Sequence, residues 1–158
     1  ELILVLIILS TVLALAAPSL RGFFASRRID GAAAQILALT QWARSQAVSE
    51  GIVYRLNFDT RDATYWLTAQ KAGAFELLDT ELGQVYRLPK DIELELEDIE
   101  QKDKEVFLAF TPYGTVTAGL IRLTDRAGRV VEVSCPSVTE TFSIVEPRQT
   151  TYGRYASR

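Results

Sequence analysis

The stretch Glu1-Leu2-Ile3-Leu4-Val5-Leu6-Ile7-Ile8-Leu9-Ser10-Thr11-Val12-Leu13-Ala14-Leu15-Ala16-Ala17-Pro18 decides how the chain reads. One carboxylate heads sixteen residues without a charge, Leu2–Ala17. As a helix that run is about 24 Å long, against a hydrocarbon core of about 30 Å. It falls short of spanning by about four apolar residues, so a short segment ahead of Glu1 is expected. An acidic side chain at a bilayer centre costs at least about 2.5–3.5 kcal/mol, so Glu1 calls for a neutralising cation. A cleavable secretory signal is the competing reading. Against it, the helical pattern continues beyond Pro18 in phase and does not give way to a separate mature domain.

Working outward, apolar residues recur at Leu20, Phe23, Phe24, Ile29, Ala33, Ile36, Leu37, Thr40, Ala43 and Ala47, the i, i+3/i+4 stripe of a helix with one buried face. Gly51 stands where a helix C-cap belongs, so one helix is predicted over residues 1 to 50, about 75 Å if straight. Pro18 and Gly22 are its expected break, because proline removes a donor and crowds the preceding turn while glycine lowers helix propensity. A kink or melted turn is predicted there.

Beyond Gly51 the period drops to two. Strands are predicted at Ile52–Asp59, Thr64–Gln70, Ile92–Glu97, Val106–Thr111, Leu120–Thr124, Val130–Ser134 and Thr141–Val145, punctuated by turn signals such as Pro112-Tyr113-Gly114. Such spacing means antiparallel sheet. Residues Ala72–Lys90 are too weakly periodic to place. The fold class is therefore α+β, a long N-terminal helix on an antiparallel β head. Its divisions are a hydrophobic 1–18, an amphipathic 19–51, a β head 52–146 and a polar tail 147–158, the last expected to be poorly ordered unless it docks on a neighbour.

Composition narrows the function. At 48% hydrophobic the 158 residues can build one core even when the apolar N-terminal run is discounted. A net charge of −3 gives no reason to expect a nucleic-acid partner. The chain has no histidine, so the commonest general base and metal ligand is missing, and no phosphate loop, paired-cysteine spacing or nucleophile elbow replaces it. No enzymatic activity, cofactor or metal is expected. The run Asp91–Glu105 holds eight carboxylates, but its alternation spreads them along a solvated strand face, whereas calcium needs converging oxygens. Cys135 has no intrachain partner and reads as a small buried residue; Trp42 and Trp66 read as core.

Glu1 before an Ile/Leu/Val run, Pro18 seventeen positions on and Ser19-Leu20-Arg21-Gly22-Phe23 after it resemble the N-terminus of type IV pilins and type II secretion pseudopilins. The stretch Ala33–Gly51, the β-like Ile52-Val53-Tyr54-Arg55-Leu56-Asn57-Phe58 and Phe110-Thr111-Pro112-Tyr113-Gly114 are similar to the GspH/FimT minor pseudopilins. The family's processing site and N-terminal phenylalanine are absent from this sequence. The resemblance implies a bacterial inner-membrane subunit, single-pass with a periplasmic head, that later joins a pseudopilus. Its implied partners are other pilin or pseudopilin subunits, the inner membrane, a prepilin peptidase and an assembly platform.

The resemblance further implies that Glu1 attracts the N-terminal amine of a neighbouring subunit and so sets filament register. It also implies that Leu2, Val5, Leu6, Leu9 and Leu13 pack first in the membrane and then in the filament core. Arg21, Arg27 and Arg28 follow the apolar run and would by themselves favour a cytoplasmic head. The resemblance implies the opposite topology and leaves those arginines to lipid headgroups or to the acidic faces of adjacent subunits. Major or minor type IV pilins, and a membrane-tethered binding module, are the alternative functions.

Overall fold

In a computed structural model of the chain, residues 2–99, 101–102 and 105–145 are described, with the side chains of 13–26, 101–102 and 105 outside that description. Helix α1 runs Leu2–Glu50, 49 residues. It stops where expected. Gly51 adopts φ +70°, a left-handed conformation that costs glycine nothing, and its N–H closes the last turn on the Ala47 carbonyl at 3.1 Å. The interruption expected at Pro18 and Gly22 does not appear in the helical assignment, which passes through both. A helix can carry one proline by giving up one hydrogen bond and bending.

Only the second half of α1 is covered. Ile29, Ala33, Ile36, Ala43 and Ala47 are fully buried and Thr40 nearly so, its hydroxyl donating to the Leu37 carbonyl at 2.7 Å. These positions reproduce the predicted stripe, while the side chains of Leu20, Phe23 and Phe24 lie outside the described residues.

The head is two antiparallel sheets where one was expected. The first joins β1 (Tyr54–Asp59), β2 (Thr64–Lys71), β3 (Ala74–Leu77), β4 (Tyr86–Arg87), β6 (Gln101–Lys102) and β7 (Glu105–Phe110). Its order is β3-β2-β1-β7-β6, with β4 also paired to β2. The second has the order β10-β9-β8-β5, from β5 (Ile92–Glu97), β8 (Gly119–Asp125), β9 (Val130–Cys135) and β10 (Ser143–Val145). They part at the turn Thr111–Thr115, where proline cannot continue a ladder and Gly114 takes φ +78°. Beyond the turn a Phe110–Val116 bridge, a Thr117 N–H to Ala109 carbonyl bond of 2.9 Å and an Ala109 N–H to Thr117 hydroxyl bond of 3.0 Å stitch the sheets together.

The unplaced stretch Ala72–Lys90 supplies β3, a 3₁₀ turn at Glu81–Gly83 and β4. Its signal is weak because β3 is an edge strand with three of its four residues exposed, so no apolar period is imposed on it.

Each sheet turns one face to α1. Leu56, Leu67, Leu108 and Phe110 of the first sheet and Ile121, Leu123 and Val133 of the second are fully buried with the helix stripe. Trp42 packs edge-on to Tyr54 with ring centroids 5.7 Å apart. Trp66, expected in the core, is half-buried on the opposite face of its sheet, because strand alternation turns its neighbours Tyr65 and Leu67 inward.

Two tyrosines in this core have phenols pushed up to about 12, Tyr65 by burial and then Tyr86, and Tyr54 by burial and its hydrogen bond to Glu50. A folded pKa above the unfolded value of 10.0 means stability present below that pH and lost as pH rises toward about 12. Tyr65→Phe is expected to flatten that alkaline loss, as read from urea melts across the window. Ile36→Ala is expected to lower head stability by about 2–5 kcal/mol, whereas Leu6→Ala on the uncovered half leaves the unfolding midpoint unchanged.

Candidate assembly surface

Leu2–Leu9 is apolar at every position, so α1 has no polar face there. Among the described residues nothing covers it: Leu2, Val5, Leu6 and Leu9 are 80%, 59%, 61% and 55% exposed. A helix hydrophobic all round belongs inside lipid or among other helices. The two hydroxyls that follow do not interrupt this surface. Ser10 and Thr11 both donate back to the Ile7 carbonyl, at 2.9 and 2.7 Å, which satisfies them within the helix. Among the described residues, no helix is long and apolar enough to cross a membrane. Glu1 lies outside the described residues, as do the side chains of Leu13, Pro18 and Gly22 and the whole tail 147–158.

The neck, where α1 enters the head, is charged. Arg28 pairs with Asp91 just ahead of β5 at 2.9 Å. On the other side of Ile29, Asp30 receives both guanidinium nitrogens of Arg129 at 2.9 and 3.1 Å. Burial of Ile29 brings Arg28 against its own sheet. Further up, Arg44 donates to the Glu140 and Thr139 carbonyls at 3.0 and 3.3 Å, holding the β9–β10 loop against the helix.

The acidic strand face carries a cation that sequence reading missed. Glu93, Glu95 and Glu97 are exposed on β5, but register sets Arg122 of β8 opposite Glu95 on one side and opposite Glu132 of β9 on the other. Arg122 bonds Glu132 at 2.8 Å, lies 3.7 Å from Glu95, and forms a close ion pair with Glu97. These bonds, to Glu132 first, raise its pKa further. The pairing signal needed the strand register, which sequence does not contain.

Among the described residues no side chains are gathered for catalysis. The Cys135 thiol is buried, burial raises its pKa, and it donates to the Ser137 carbonyl at 3.1 Å, which suits packing and not nucleophilic attack. Among the described residues no set of acids or cysteine gathers to hold a metal ion. A groove of about 490 Å³ at the seam between β7 and β8 is lined by Thr111, Thr115 and Thr117 with Asp98 at its edge. Its hydroxyls are already occupied: Thr111 and Thr115 bond each other at 2.7 Å and Thr117 accepts from the Ala109 N–H at 3.0 Å.

An uncovered apolar helix projecting from a β head that packs on the same helix defines a pilin-like filament subunit, a structural protein and not an enzyme. Residues 32–135 match the family described as Type II transport protein GspH, and the chain belongs to that family. It is similar in structure to the minor pseudopilin EpsH of the type 2 secretion system of Vibrio cholerae. That match has TM-score 0.65 at 12% identity over 77% of this chain and 99% of that one. The type IV minor pilin FimU of Pseudomonas aeruginosa matches with TM-score 0.55 at 17% identity over 79% of this chain and 92% of that one. The comparison with curated protein sequences gives no match.

Arg122→Ala leaves facing carboxylates without their cation and is expected to cost about 1 kcal/mol at low salt. The loss should shrink in molar salt, as thermal melts at the two ionic strengths would show.

Proposed function

We propose that the chain is a minor subunit of a type II secretion pseudopilus that primes or drives protein export across the outer membrane. The observation that carries this reading is the half-covered helix, with Leu2–Val12 open and Ile29–Ala47 sealed under the head. The divisions 1–18, 19–51, 52–146 and 147–158 then have distinct tasks. The first is held in the inner membrane with the head in the periplasm, and passes from lipid into the helical core of the filament with Leu2, Val5, Leu6, Leu9 and Leu13 packing there. The second carries the head, the third presents its surfaces, and the polar tail docks on a neighbour.

Glu1 is the register residue in this reading. A carboxylate drawn into an apolar bundle needs a cation, and the N-terminal amine of the adjacent subunit supplies it; leaving such a charge buried and unpaired costs about 3–5 kcal/mol. Pro18 and Gly22 are the place where α1 gives when subunits pack. Other pseudopilins, a prepilin peptidase and an assembly platform are the partners.

Sheared filaments from cells making the full-length precursor test the proposal. The wild type is expected as a sparse, tip-associated component, and Glu1→Ala is expected to lose filament association while remaining in the membrane. Filaments built mainly of this chain would make it a major pilin, and a Glu1→Ala variant that assembles as well as wild type would overturn the register role.

A further inference from the structure

We infer that Arg28–Asp91 and Asp30–Arg129 form a charge-keyed clamp at the neck that fixes the direction in which the apolar stalk leaves the head. The inference rests on the assembly role proposed above, because a fixed stalk direction matters to a subunit that must fit a filament.

The geometry begins at Ile29, which is fully buried. Its neighbours Arg28 and Asp30 stand about 100° to either side of it around the helix, so they flank the contact line. The head residues that meet them share one end of the second sheet. Asp91 directly precedes β5, whose first residue pairs with the last of β8, Ile92↔Asp125. Arg129 directly precedes β9, whose first residue pairs next to it, Val130↔Thr124. Asp91 and Arg129 are thus about two strand spacings apart, close to 10 Å, the width of a helix with its side chains. The helix passes between them.

The charges are antisymmetric. A cation on the helix meets an anion on one flank, and an anion meets a cation on the other. Were the helix to lie in the opposite sense, Arg28 would face Arg129 and Asp30 would face Asp91, two repulsions in place of two attractions. A slide by one turn would lose both pairs, since from Phe24 to Ala43 the only charges are Arg27, Arg28 and Asp30.

The apolar stripe cannot supply this discrimination alone. Ile29, Ile36 and Leu39 seat the helix along its length, but at the neck Ile29 is the first buried residue, and the small Ala32 and Ala33 that follow leave side-to-side tilt to be restrained from the flanks. Arg129 is held ready for its role by the β8–β9 turn. The Asp125 carboxylate accepts from the Ala127 and Arg129 N–H groups at 2.8 and 2.9 Å, and the Asp125 N–H bonds the Arg129 carbonyl at 3.0 Å.

Leverage makes a weak clamp matter. Each pair is partly exposed and adds little to stability. In the single subunit, where α1 runs unbroken through Pro18 and Gly22, about 27 residues of helix project beyond it, roughly 40 Å, so a tilt of about 10° at the neck moves the far end by about 7 Å, more than a helical turn.

The full-length chain in detergent micelles, spin-labelled at Ser10→Cys and Asp62→Cys, reads the neck directly. Wild type is expected to give one narrow stalk-to-head distance distribution. Asp30→Arg is expected to broaden it about twofold, and the swap Asp30→Arg with Arg129→Asp to restore it, while head melting temperature moves by less than about 5 °C. In cells, secretion or filament incorporation should fall about fivefold with Asp30→Arg and recover in the swap. A narrow distribution in Asp30→Arg, or failure of the swap in a head that melts normally, overturns the clamp. Broadening rescued by the swap, in a strain where deleting the subunit leaves secretion intact, supports the clamp and overturns the pseudopilin reading instead.

Discussion

Everything in this structure depends on one helix being sealed along half its length and bare along the other. Between Ile29 and Ala47 a stripe of mostly small side chains lets α1 lie close against two sheets, and the core forms from what both sheets turn toward it. Between Leu2 and Val12 no other described element approaches, and the apolar surface is open. The hydrophobic effect drives both halves, but only the second is satisfied within the subunit. The head therefore folds around its own helix, while the stalk stays open among the described residues.

Electrostatics works at the margins of that arrangement. Exposed ion pairs add little stability, so their use here is positional. The neck pairs hold the helix from both flanks of Ile29, where the apolar stripe begins. On the outer face of the second sheet, Arg122 is placed by strand register among Glu95, Glu97 and Glu132, so that four carboxylates on adjacent strands, Glu93 included, can coexist there. Belonging to the GspH family gives these surfaces a setting, the type II secretion pseudopilus.

Much of the fold was legible in the residues because its signals are local. The period of 3.6 up to Glu50, the stop at Gly51 and the strict alternation of Ile92–Glu97 each follow from side-chain geometry within a few positions, and β5 has the predicted bounds. The stretch Ala72–Lys90 was silent because edge strands and 3₁₀ turns impose no apolar period. Trp66 was misplaced for a related reason: an aromatic in a strand is inward or outward by parity, and parity is settled by which neighbours the helix covers.

By itself the sequence determined that a charge-free helical run follows Glu1, that the same helix continues with one buried face, that a β head comes after, and that histidine is absent. These follow from composition and short-range periodicity, which survive without knowing any partner. The tertiary structure decided that the head is two sheets parted at Pro112-Tyr113-Gly114, that Arg28 and Asp30 grip opposite flanks of the neck, and that Arg122 sits between acids of two strands. Those contacts join residues 25 to 99 positions apart, or depend on strand register, and register is a property of the packed sheet and helix that no local pattern encodes.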